Sequence, residues 1–180
     1  MFYSLIQNPH LIAKYLTYLL LVWFFIISAF GDKEHKPSSL ILMSCILINF
    51  LWVAILVENG VAGDFVERKE FMMYLEGAFG LMLTMFLRHD KTAWKQALLL
   101  CFATLCHIMI ILNIKAHHAG FFYNWYDELI IAVGLLQMMV SHDGLIGAFS
   151  NLQELLLRTH HYFNRAYQGL FTHKSSEKSK

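Results

Sequence analysis

The sequence predicts an all-α polytopic membrane protein, with five transmembrane helices followed by a C-terminal amphipathic helix. Three observations carry that reading. Of the 180 residues, 57% are hydrophobic and only 15% charged, oilier than a soluble domain of this length. The apolar residues fall in five runs, each close to the ~20 helical residues that a bilayer core requires. These runs are continuous where a transmembrane barrel would alternate. Past residue 144 the pattern changes to polar and apolar residues recurring every three or four positions, the signature of a two-faced helix.

The first span is expected over Leu11–Phe30 (LIAKYLTYLLLVWFFIISAF), with Pro9 at its entrance, where a missing amide proton costs nothing. It ends in AFGDKEHKP, without a basic head or a small-x-small cleavage site, and so reads as a retained span rather than a signal peptide. Pro37, Ser38 and Ser39 mark the start of the second, Leu40–Val57. It is followed by ENGVAGD within a loop from Glu58 to Glu70. A soluble helical bundle would show a broad polar face, whereas the runs before Asp32 and after Ser38 are oily all round. The third span, Phe71–Leu87, is short, and RHDKTAWK turns the chain into the fourth, Gln96–Ile114. The fifth, Phe121–Val140, opens with the aromatic patch FFYNWY, expected to anchor at the membrane interface.

The final helix is expected over residues 145–172. Asn151, Glu154, Arg158, His161, Arg165 and Gln168 form its polar stripe, and Phe149, Leu152, Leu156, Phe163, Tyr167 and Leu170 its apolar one. Such a helix lies in the headgroup zone or packs through its seam on another subunit. The chain thus divides into a membrane domain (1–144), a cytoplasmic amphipathic helix (145–172) and a flexible tail (173–180). Alternating the connections between two sides puts Lys14, Arg68, Lys69 and Lys115 on one and the other ten basic residues on the opposite one. The excess marks the cytoplasmic side, giving an outer N-terminus and an inner C-terminus, in the plasma (inner) membrane.

Composition also excludes functions. Lys+Arg 14 against Asp+Glu 13 provides no concentrated basic field for nucleic acid. P-loop, GxGxxG and GxSxG motifs are absent from the sequence. Cys45, Cys101 and Cys106 lack zinc or redox spacing and read as small buried apolar groups. The methionines read as adaptable packing. Asn49, Asn113 and Gln137 read as hydrogen-bonding links between helices. Gly77, Gly80 and Thr84 offer small contacts on the third helix, and Gly134 aligns with Asp127 as a close-approach strip on the fifth. Over one helix, YLEGAFGLMLTMFLR resembles the glycine-spaced helix of the DoxX group of small membrane proteins.

The candidate functional site is a set of ionisable groups at one depth. At 1.5 Å per residue, Glu76 sits ~7–8 Å along the third helix, Asp127 and Glu128 ~9–10 Å along the fifth, and His107 ~10 Å from the end of the fourth. All four fall in one outer-half layer, the third and fifth helices entering from the outer side and the fourth leaving toward it. Glu58 ends the second helix near that side, and His118 shares a face with His107 if the helix continues. A carboxylate in lipid must pair, take a proton or face water. His107 donating to Glu76 or Asp127 would form a coupled imidazole and carboxylate. Structural hydrogen bonding, proton or ion handling, a metal or redox centre and a lipid or quinone pocket all remain open on these residues. The metal and cofactor are unspecified by the sequence.

Minimal loops, apolar surface and the two-faced tail favour an integral membrane subunit or assembly and interaction protein without autonomous catalysis. Its expected partners are membrane lipids and other membrane subunits, or a second copy of itself. The alternatives are a small ion- or proton-handling channel or carrier built on the Glu/His/Asp cluster, and a metal- or quinone-dependent membrane enzyme.

Overall fold

The computed structural model describes residues 8–58, 65–85, 90–116 and 121–176. All regular structure among them is helical: α1 Pro9–Phe30, α2 Lys36–Glu58, α3 Phe65–Thr84, α4 Ala93–Lys115, α5 Phe121–Val140 and α6 His142–Ser176. Three of these, α1, α2 and α4, contain stretches long and apolar enough to cross a membrane, and α5 with α6 does so as one pair bent by 51°. Three to four candidate spans are consistent with a membrane protein. Helix α3 is not among them, because five of its 20 residues are charged. The expected five crossings therefore exceed what length and composition alone support.

The largest boundary correction is at α3. Residues 65–70, expected in a loop, are its first turns. Glu67, Arg68, Lys69 and Glu70 have good helix propensity despite their polarity, so the apolar run begins later than the helix does. Likewise α2 starts at Lys36, with Pro37 in its first turn, and α6 continues to Ser176 instead of ending at 172.

Helix directions alternate, as the contacts at the two ends show. At one end the turn after α1, the start of α2 and the start of α4 meet around Asp90. Its carboxylate accepts from the Ser38 amide at 2.8 Å, the Thr92 amide at 2.8 Å and the Thr92 hydroxyl at 2.7 Å. Asp90 is 2% exposed, so this knot closes three donors that water does not reach. At the other end Lys115 pairs with Glu70 at 2.6 Å, joining α4 to α3. Trp52 stacks on Phe71 with ring centroids 4.7 Å apart, joining α2 to α3.

Between these ends lies an apolar core of Leu20, Phe24 and Ile27 from α1, Ile41 and Leu42 from α2, Leu83 from α3, and Ala97 and Leu100 from α4. Outward-facing side chains are also apolar. Leu98, Leu105 and Leu112 repeat every seventh residue on the exposed face of α4. In lipid such a face is solvated, and packing contacts and hydrogen bonds drive helix association. Of the expected small contacts, Gly80 packs on Leu100, whereas Gly77 faces open space. Cys45 and Cys106 are buried as read, but Cys101 is exposed. Its residue type favours burial, yet its helical phase points away from the bundle.

Helix α6 leaves the bundle at Ser141. That hydroxyl donates to the Gln137 carbonyl at 2.7 Å and accepts from Trp23 Nε1 at 2.9 Å. A side chain entering the helical ladder in this way is a recognised cause of a kink. The first turns of α6 then seat on the turn after α1. A methyl group on Gly147 would stand only 2.5 Å from Asp32 Oδ2. One turn on, Asn151 donates to the Phe30 carbonyl at 2.8 Å. From Gln153 to Arg165 every side chain is exposed.

Candidate functional site

Three helical side chains form one hydrogen-bonded chain inside the bundle, and a fourth stands beside its end. Helix α4 points His107 inward, where it is 2% exposed. Its Nδ1 lies 2.7 Å from the Ala103 carbonyl, one turn earlier. A carbonyl can only accept, so Nδ1 carries the proton. Nε2 is then the acceptor, and the Tyr126 hydroxyl from α5 stands 2.9 Å from it. The rings meet edge to face, with centroids 5.6 Å apart. The Tyr126 oxygen in turn accepts from Lys69 Nζ of α3 at 2.8 Å. The ammonium also sits 4.3 Å from the Tyr126 ring centroid, so the aromatic face shares in holding the cation.

Glu76 completes the group from two turns along α3. Its Oε2 is 3.3 Å from His107 Nδ1, an ion-pair distance. No donor is directed at it, however, and Oε2 is a buried oxygen without a hydrogen bond. Both facts follow from one geometry, because the imidazole proton aims at the Ala103 carbonyl while the carboxylate stands beside the same nitrogen. A small turn of the ring would exchange one acceptor for the other.

Glu76 also lines a cavity of about 100 Å³ between the five helices α1 to α5. Thr17, Asn49 and Gln137 are its other polar side chains with an oxygen, and the rest of the wall is mainly aliphatic. Gly134 belongs to that wall at the crossing of α5 over α1, where an added methyl would stand 2.7 Å from Leu16. Asn49 and Gln137, expected to link helices, thus border this space. The Gln137 backbone carbonyl receives the link instead, from Gln96 Nε2 at 3.0 Å.

The structure brings together two of the six residues singled out by depth, Glu76 and His107. Asp127 is half-buried and close enough for its charge to act on Lys69. Glu128, its neighbour, is exposed. The side chain of Glu58 and the whole of His118 lie outside the described residues. Among the described residues no three His, Cys, Asp or Glu side chains gather as metal ligands.

Lys69 and Tyr126 are the members that sequence reasoning missed. Lys69 counts there only toward charge asymmetry, and Tyr126 only as one of an interfacial patch. Tyr126 is instead 5% exposed, turned inward beside the exposed Trp125. A usable signal did exist, since Tyr126 adjoins Asp127 and shares the depth of His107. Comparisons with protein-family models, with curated proteins and with solved structures found no match to this chain.

Proposed function

We propose that this protein is a proton-handling membrane protein in which α1 to α5 each cross the bilayer and α6 lies on the cytoplasmic side. The observation that carries the reading is the row Lys69, Tyr126, His107, hydrogen-bonded in turn and ending 3.3 Å from Glu76, a cavity-lining residue whose carboxylate Oε2 has no hydrogen-bond donor. A purely structural linkage would be expected to satisfy every buried group. This one leaves its terminal acceptor unfilled.

The transfer balances along the two hydrogen bonds and, once the ring turns from Ala103 toward Glu76, the 3.3 Å contact between them. Lys69 gives a proton to the Tyr126 oxygen while the Tyr126 hydroxyl proton passes to His107 Nε2. The Nδ1 proton moves to Glu76. The end products are a neutral lysine amine, a restored tyrosine, the other histidine tautomer and a neutral carboxylic acid. Lys69 then recovers a proton from the aqueous side at the start of α3. A neutral Glu76 removes the cost of an unpaired charge in a low-dielectric interior.

Reconstitution tests this directly. Protein in liposomes carrying a pH-sensitive dye, driven by a potassium diffusion potential with valinomycin, should acidify the lumen faster than empty vesicles. Glu76→Gln should return the rate to that of empty vesicles. Unchanged flux in this variant, or none in the wild type, overturns the reading.

A second reading, a subunit of a larger membrane assembly, is favoured by α6. Its residues Leu155, Leu156, Tyr162, Phe163 and Tyr167 are more than half exposed. Mass measurement in mild detergent tests it. A solitary monomer removes this role and leaves the proton reading intact.

A further inference from the structure

We infer that the cavity beside Glu76 is a binding site for a small protonated amine, held by the carboxylate and exchanged for the proton that Lys69, Tyr126 and His107 deliver. This deepens the proton reading and rests on it.

The argument starts from charge. Glu76 is 7% exposed and is the one charged residue in the cavity wall. A buried carboxylate must hold either a proton or a cation. His107 does not supply that cation, because a ring that donates at Nδ1 and accepts at Nε2 is neutral. Lys69 points its ammonium at Tyr126 instead. Beyond the field of Lys69, an ionised Glu76 takes its countercharge by way of the cavity.

The wall selects among cations. A divalent metal ion asks for six or more oxygens, and only Thr17, Asn49, Glu76 and Gln137 bring side-chain oxygens to this cavity. An alkylammonium needs one strong acceptor for its N–H groups and an apolar surface for its body. The Glu76 carboxylate provides the first, and Leu16, Ile46 and Ile130 the second. An engineered apolar cavity of ~150 Å³ accommodates benzene. A space of about 100 Å³ suits an amine of four or five heavy atoms.

Exchange balances without a further reactant. As the ammonium enters, the Glu76 O–H bond breaks and its proton passes to His107 Nδ1. The Nε2 proton returns to Tyr126 and the Tyr126 proton to Lys69, whose ammonium first releases a proton to the aqueous side. One proton leaves the carboxyl for each ammonium that replaces it.

Thermal unfolding of the purified full-length protein in detergent, followed by tryptophan fluorescence, provides the test. The probes are propylammonium chloride, the uncharged isostere propan-1-ol, potassium chloride and magnesium chloride. Propylammonium alone should raise Tm saturably, by roughly 5 °C at a hundredfold excess over Kd. Glu76→Gln should weaken that response at least about tenfold. Ile46→Phe, which adds bulk to the apolar wall of the cavity, should lose the response.

Equal stabilisation by propan-1-ol, stabilisation by potassium or magnesium in place of propylammonium, or a full response in Glu76→Gln each overturns the amine site. Glu76-dependent proton flux with no propylammonium response overturns it while sparing the relay. Loss of both overturns both.

Discussion

Among the described residues two carboxylates are buried, and their surroundings differ in one decisive respect. Asp90, at the end where α1, α2 and α4 meet, accepts three hydrogen bonds from Ser38 and Thr92. Glu76, in the middle of the bundle, leaves Oε2 without a donor and faces a cavity. The filled site has nothing left to bind and serves as a joint. The unfilled one keeps a stabilisation in reserve for whatever supplies a proton or an N–H. Burial alone would not have separated them, since Asp90 is 2% exposed and Glu76 7%.

The sharpest test of this contrast removes the joint. Asp90→Ala strands three buried donors and should lower stability by about 3–5 kcal/mol, read as earlier unfolding in a detergent titration. Its proton flux per folded molecule should stay at the wild-type level. Glu76→Gln should do the reverse. Flux falls by about a hundredfold or more, ~2.7 kcal/mol in barrier terms, while stability holds or rises because an unpaired buried charge is gone. Tyr126→Phe interrupts the same path at its hydroxyl and should slow flux about tenfold. Wild-type flux in this variant would show that protons bypass Tyr126.

Smaller effects are expected away from both carboxylates. Gly147→Ala pushes on Asp32 and disturbs its contact with Asn151, costing about 1 kcal/mol of α6 seating. Faster proteolysis between α5 and α6, with flux unaltered, is the expected readout. Leu105→Ala, on the outward face of α4, should change stability by less than about 0.5 kcal/mol in lipid. A large loss there would mean that the face is covered by protein.

Much of the architecture was legible along the chain, because hydropathy and periodicity are local properties. The fifth helix begins and ends where its apolar run does, at Phe121 and Val140. Legibility failed where a helix is polar. The start of α3 is written in charged residues, so an apolar count begins six residues late and overlooks Lys69 as an inward-facing group. At the site, rise per residue put Glu76 and His107 at a common level, and the two stand 3.3 Å apart in the structure. The same arithmetic gave Asp127 and Glu128 equal standing, and only their rotation about α5 distinguishes the half-buried one from the exposed one.

The sequence by itself determined the apolar character, the helical class and the position of each ionisable group along its helix, since these follow from composition and from a fixed rise along one axis. Only the tertiary structure decided which faces turn toward each other. That choice directs Tyr126 inward, aims the His107 proton at Ala103 and leaves Glu76 beside an opening. Hydrogen bonds depend on direction in three dimensions, and the relative rotation of separate helices is set by how their side chains pack together.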